Sequence, residues 1–218
     1  MNNYTIPEGF VRLSEVAPLV LQDIRYATRY NFLGRPAAGY EAPVAIMTRA
    51  AAEALEAVSR EIMEQGFLLK VFDAYRPQRA VDDFNRWVLD GDERMRPWFY
   101  PDVNKADLYA LDFLGRRSAH SRGSAVDLTL FDLSEGRDAD MGGPFDFFGP
   151  RSNYRWEGLT EAQAGNRRFL RDVMTGHGFR PLDSEWWHFQ LIDEPFPETW
   201  FDFVIRKTQQ PTKSKMSQ

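Results

Sequence analysis

The chain has 218 residues, enough for one domain with a substantial core, and 43% of them are hydrophobic, which places it in the globular class. Lys and Arg number 27 against 32 Asp and Glu, a net charge of −5 with no basic stripe, which argues against a nucleic-acid partner. There is no cysteine, so disulfides, thiolate metal sites and a cysteine nucleophile are excluded; a metal would need His and carboxylate ligands, a set that suits Zn²⁺.

Met1 to Pro7 has neither a basic nor an apolar leader pattern, and no window of about 18 apolar residues occurs. The expectation is a soluble, cytoplasmic protein that does not associate with membranes. Residues 1–17 read as a lead-in with one short amphipathic piece, and Leu19 to Tyr26 as a strand. A loop rich in Gly, Pro and aromatics follows, where Tyr26, Tyr30, Asn31 and Tyr40 can line a pocket or simply pack. Thr48 is an N-cap residue for a helix to about Gln65, with Gly66 just past its end. Ala51, Ala54, Leu55, Val58 and Ile62 give that helix one apolar stripe.

Phe67 to Ala74 reads as a strand, and Pro77 as the first residue of the next helix. Arg76 stands at this junction, either facing a cleft or paired with Asp73 or Asp83. Residues 91–106 read as irregular, and Asp107 to Leu114 as a short helix. From Ala125 the side chains alternate: Val126, Leu128 and Leu130 share an apolar face, while Ala125, Asp127 and Thr129 share the other. Gly123 permits a tight turn that brings His120 back over the start of this strand, beside Asp127.

Residues 131–157 lack periodicity, yet their aromatics argue for an ordered wall or lid. Within it Asp146, flanked by Phe145 and Phe147, calls for a cationic partner: Arg151, Arg155 or a substrate amine. Thr160 and Gln163 form a capping-box pattern for a helix ending at Gly176 or Gly178, with His177 read as structural. Glu185 to Ile192 and Trp200 to Ile205 read as strands, and residues 207–218 as a disordered tail after one domain at 1–206.

His120, Asp127 and His188 together make three ligands with a fourth tetrahedral position left for water, as in catalytic zinc sites, and Glu185 is left over as a base. On spacing alone the same residues can equally be satisfied by hydrogen bonds.

The string Ser118-x-His120-x-x-Gly123-x-Ala125-x-Asp127, with Glu185-Trp186-Trp187-His188 about 60 residues later, resembles the D-alanyl-D-alanine dipeptidase family. These are zinc enzymes related to D-Ala-D-Ala carboxypeptidases and to the metal domain of Hedgehog proteins. Tyr26-Ala27-Thr28, Gly39-Tyr40, Asp73-Ala74-Tyr75-Arg76-Pro77, Phe145-Asp146-Phe147, Asn166-Arg167-Arg168 and Phe201-Asp202-Phe203 resemble family segments in the same order. The resemblance implies one Zn²⁺ per chain on His120, Asp127 and His188, with Glu185 as catalytic base and Arg76 steadying the transition state. It implies substrate contacts at Ser118 and Asp146, with Tyr26 and Tyr40 as further candidates. Ala119 stands where some relatives carry a second serine.

The implied reaction is hydrolysis of D-alanyl-D-alanine, a small dipeptide substrate. A D,D-carboxypeptidase, a cell-wall endopeptidase and a non-catalytic zinc-binding module are the alternatives. The implied fold is a single α+β domain: a central antiparallel sheet including 67–74, 125–131 and 186–192, with helices packed mainly on one face.

Overall fold

Three capped or proline-led helices and a short list of β-branched and aromatic runs set the frame. In the computed structural model, which describes residues 6–207, the elements in order are β1 (Phe10–Arg12), α1 (Leu13–Val16), β2 (Leu21–Gln22), β3 (Ile46–Thr48), α2 (Arg49–Met63), β4 (Phe67–Asp73) and α3 (Gln78–Val88). They continue with α4 (Arg96–Phe99), β5 (Ala125–Asp132), β6 (Arg137–Asp138), α5 (Glu161–Gly176), β7 (Phe179–Leu182) and β8 (Glu185–Leu191).

The Thr48 side chain caps α2, whose Ala51, Leu55, Val58 and Ile62 are fully buried; Gly66, at φ +84°, turns the chain into β4. The Thr160–Gln163 capping box is formed in both directions at the start of α5, which buries Leu170, Val173 and Met174. Pro77 caps α3 from the position before its first residue, one place earlier than the sequence suggests.

The main sheet runs β2-β4-β5-β8-β7, with β6 on the far end of β5. The pairs β4–β5, β5–β8, β8–β7 and β5–β6 are antiparallel, so the three expected strands lie side by side as β4-β5-β8. The short edge strand β2 joins β4 in parallel, which makes the sheet mixed. Helix α2 packs on β4 and α5 on β5 and β7, and the two helices touch each other, so they cover a common face. Val126, Leu128 and Leu130 are fully buried. A separate two-stranded antiparallel ribbon, β1–β3, was not anticipated. Among the described residues no helix is long and apolar enough to cross a membrane.

Three expected elements differ. The strand expected at Leu19 to Tyr26 is only Leu21–Gln22, after which a 3-10 turn at Arg25–Ala27 takes Tyr26 into the core against Phe84 and Phe32. The helix expected at Asp107 to Leu114 is a 3-10 turn at Lys105–Asp107 followed by turns. Buried Lys105 ties that turn to the Trp87 carbonyl at 3.1 Å and to Asp90 at 2.7 Å, favouring a side-chain anchor over a helix. The strand expected at Trp200 to Ile205 reduces to one bridge, Tyr40–Ile205; Arg79 gripping Asp202 and the stacking of Phe203 on Tyr75 hold the segment instead. The expected tail lies outside the described residues beyond Lys207.

The 131–157 wall is ordered by a residue whose type usually faces water. Arg167 of α5 is 2% exposed and donates to the carbonyls of Met141, Arg151 and Asn153 at 2.6–2.7 Å. Burial pulls its pKa down to about 10, which leaves it charged at neutral pH and the three hydrogen bonds charge-assisted.

Candidate metal and peptidase site

The site forms where β5 begins. Ser118 caps a 3-10 turn at Ala119–Arg122, accepting from the His120 N–H at 3.3 Å, and Gly123 closes it at φ +85°. A side chain at Gly123 would collide with the Phe10 ring as well as strain the backbone, so the turn needs glycine. The turn lays His120 over Asp127, and the β5–β8 register sets His188 directly opposite Asp127.

The His120 Nδ1 faces the Ala74 carbonyl at 2.7 Å. A carbonyl only accepts, so Nδ1 carries the proton and the Nε2 lone pair points at the other two residues. From there His120 Nε2 is 3.1 Å from His188 Nδ1 and 3.2 Å from Asp127 Oδ1, and the last two atoms are 3.0 Å apart. Donors about 2.0–2.1 Å from a tetrahedral zinc lie roughly 3.3 Å from one another, so this triangle is close to the size that ion requires. The three residues can hold a metal, and His120 and Asp127 are both only 2% exposed. Burial alone would raise the Asp127 pKa; the charges and hydrogen bonds of His120 and His188 override it and pull it well below the usual carboxylate range.

Glu185 sits at the start of β8, with its carboxylate 3.8 Å from His188 Nδ1. Among the described residues no hydrogen bond ties that carboxylate. Burial, reinforced by the Asp127 charge, pushes its pKa up to about 7, against the opposing pull of His188 and Arg76.

Arg76 faces the cleft rather than solvent. Its Nε donates to Asp73 at 2.9 Å, one terminal nitrogen lies 3.4 Å from Asp127, and its guanidinium sits over the Tyr26 and Phe84 rings. Asp83, the other anticipated partner, pairs with Arg35. Asp73, one of the two anticipated partners, carries the arrangement, and Arg76 both pairs with it and faces the cleft. Val71 and Asp73 would share a face in a regular strand, but the β4–β5 register shifts between them. This bulge lets Val71 stay in the core while Asp73, fully buried, turns toward Arg76.

The cleft has a volume of about 380 Å³ and is lined by the triad, Glu185, Arg76, Ser118, Tyr26 and Asp146, with Phe84, Phe148 and Trp187 among its apolar walls. That is near the small end of ligand pockets. Asp146, at φ +60° and 6% exposed, accepts from the Tyr26 hydroxyl at 2.8 Å. Neither anticipated arginine pairs with it; Arg151 lies over Phe147 and Trp156. Burial first, and the Asp127 charge second, push its pKa well up. Tyr40 does not line the cleft; its hydroxyl donates to Asp73 at 2.6 Å, behind Arg76. His177 is elsewhere, bonded to Glu61 across α5 and α2 at 2.7 Å.

The family profile described as D-ala-D-ala dipeptidase matches residues 7–206. The chain is 41% identical over 198 residues to a D-alanyl-D-alanine dipeptidase of Enterococcus faecalis, covering 90% of this chain and 98% of that protein. It is 40% identical over 197 residues to one of Streptomyces coelicolor, with 90% and 98% covered. An Escherichia coli protein of the same name is 34% identical over 181 residues, 83% of each chain.

Proposed function

Because the chain belongs to the D-Ala-D-Ala dipeptidase family of metallopeptidases, we propose that it is a zinc-dependent dipeptidase that splits D-alanyl-D-alanine into two D-alanines. The observation that carries this reading is the donor triangle of His120, Asp127 and His188, with Glu185 and Arg76 on the same small cleft. Bound by those three residues, one zinc ion per chain would supply Lewis acidity, polarising the scissile carbonyl and acidifying a water.

The chain's own groups do the rest. A Glu185 carboxylate oxygen takes a proton from the attacking water and later gives it to the departing amide nitrogen. A pKa near 7 suits both directions of that transfer. Water thus adds across the C–N bond, its oxygen to the carbonyl carbon and its protons to the nitrogen and to the solvent or the new carboxyl group. The Arg76 guanidinium shares the negative charge that develops on the carbonyl oxygen; fixed in advance by Asp73, it needs no reorganisation to do so.

Asp146 takes the substrate's ammonium group. It is a buried carboxylate whose hydrogen bond comes from a neutral hydroxyl, Tyr26, and the charge of Arg76, which is bonded to Asp73, only partly offsets its burial, so a bound ammonium would supply a counter-charge in direct contact. Ser118 takes the substrate carboxylate through its hydroxyl. A carboxypeptidase acting on acylated peptides has no ammonium at this position and no use for Asp146. A pure binding module has no use for Glu185.

The test compares D-Ala release from D-Ala-D-Ala and from N-acetyl-D-Ala-D-Ala, with Glu185→Ala as control. Release from the free dipeptide, lost in the control, is expected. Preference for the acetylated peptide would instead make the protein a carboxypeptidase.

A further inference from the structure

Beside the cleft of about 380 Å³ lies a second cavity of about 480 Å³. Neighbouring residues divide between the two. On β5, Asp127 lines the cleft and Thr129, on the same strand face, lines the second cavity. Asp146 lines the cleft and Phe145 the second cavity; Trp187 lines the cleft and Trp186 the second cavity.

Two rings line the second cavity, and one of them, Phe145, touches the cleft-lining Trp187. Phe145 and Phe72 stack with centroids 4.9 Å apart and planes at 25°, and Trp187 meets Phe145 edge-on at 5.5 Å. Both phenylalanines are buried, and the Arg25 guanidinium covers the Phe72 ring at 4.8 Å. Phe72 is the bulged residue of β4, and Phe145 is placed by the left-handed turn at Asp146. The irregularities that aim Asp73 and Asp146 therefore also build this pair.

We propose that the Phe145–Phe72 stack is the partition that sets substrate length, closing the amine side of the cleft against a cavity able to hold an extra residue. This rests on the dipeptidase reading, in which Asp146 takes the free ammonium. An acyl group on that nitrogen starts beside Asp146, where Phe145 and Phe72 stand between it and the second cavity. That cavity has the mixed lining of a peptide subsite: Thr129, Arg25 and the carboxylates Asp138 and Asp140 among the aromatic walls of Tyr30 and Trp186. With the partition removed, the same hydrolysis would release D-Ala and N-acetyl-D-Ala from N-acetyl-D-Ala-D-Ala.

The experiment measures kcat/KM for D-Ala-D-Ala and for N-acetyl-D-Ala-D-Ala in the zinc-loaded parent, Phe145→Ala and Phe72→Ala. Phe145→Leu is the milder variant should truncation to alanine prevent folding. Calorimetry on a Glu185→Gln background gives the Kd of the acetylated peptide independently of turnover. The ratio of the two kcat/KM values is internal to each variant, so a loss of folded protein cancels. The expected result is at least a tenfold rise in the acetylated-to-free ratio, with at least a tenfold tighter Kd for the acetylated peptide. An unchanged ratio, with the free dipeptide still cleaved, overturns the partition. If neither parent nor variants cleave the free dipeptide, the dipeptidase reading fails by itself. Calorimetry then decides: tighter binding on removal of Phe145 supports the partition, and unchanged binding overturns it.

Discussion

Asp73 holds Arg76 from the interior: the fully buried carboxylate accepts from Arg76 Nε at 2.9 Å, three residues along the chain. Burial pushes the Asp73 pKa up, and the charges of Arg76 and His120 pull it back. Removing one positioned charge stabiliser costs about 10²–10³ in rate in other hydrolases, and Arg76→Ala is expected to lose at least that much. Asp73→Asn, which leaves Arg76 charged but loosely aimed, is expected to lower kcat by roughly tenfold with little change in KM. Steady-state kinetics on both variants checks this, and a near-normal kcat for Arg76→Ala removes it from the mechanism.

The two tyrosines at the site have different duties. Tyr26 lines the cleft and donates to Asp146, whereas Tyr40 donates to Asp73 and is walled off from the cleft. Tyr26→Phe is expected to raise KM for the dipeptide. Tyr40→Phe is expected to leave KM alone and to cost about 0.5–1.5 kcal/mol of stability for the lost hydrogen bond. Denaturant melts beside KM values separate the two roles.

If Asp146 takes the substrate ammonium as proposed, binding and stability compete at this residue. Its folded-state pKa is raised, so the folded protein holds this proton more tightly than the unfolded chain does. Stability is therefore lost as pH rises from the unfolded value near 3.8 toward the folded one. Asp146→Asn removes this loss and keeps an acceptor for the Tyr26 hydroxyl. Thermal melts from pH 4 to pH 8 are expected to show the variant gaining on the parent as pH rises, while its KM for free dipeptide increases. A variant less stable than the parent at pH 8 contradicts this assignment.

Arg167 orders the wall through three backbone carbonyls. Arg167→Met leaves those acceptors unsatisfied, at about 1–3 kcal/mol each where they stay buried. Faster proteolysis within 131–157 and a higher KM are expected, with zinc affinity unchanged because none of the three proposed ligands is hydrogen-bonded to Arg167. Limited proteolysis with mass spectrometry and a zinc titration check both halves.

What the sequence makes legible here is local. The Thr48 cap, the Thr160–Gln163 box and the alternation of β5 are each written within a few residues, and all three stand in the structure. His120 and Asp127 could be joined on paper because one glycine turn and one strand connect them. His188 could be added to them by the ligand count of a catalytic zinc site and by the family resemblance, but its place opposite Asp127 depends on pairing between strands about 60 residues apart. The bulge at Phe72 left no readable mark. It redirects Asp73, and with it Arg76, through a one-residue slip in pairing that no periodicity reveals. Arg167 and Lys105 were hidden for the opposite reason: their residue types imply solvent, and only the assembled partners around them, backbone carbonyls for Arg167 and the Trp87 carbonyl with the Asp90 carboxylate for Lys105, explain their burial. The strand expected at Leu19 to Tyr26 was cut short because the core claims the Tyr26 ring.

The most direct measurement is a titration of metal-free protein with zinc while D-Ala release from D-Ala-D-Ala is followed. The rate is expected to rise in proportion to zinc and to level off at one equivalent per chain. Glu185→Gln should take up the same zinc and release no D-Ala. Uptake of one zinc by the parent with no D-Ala released, or release that needs no zinc, would contradict the account.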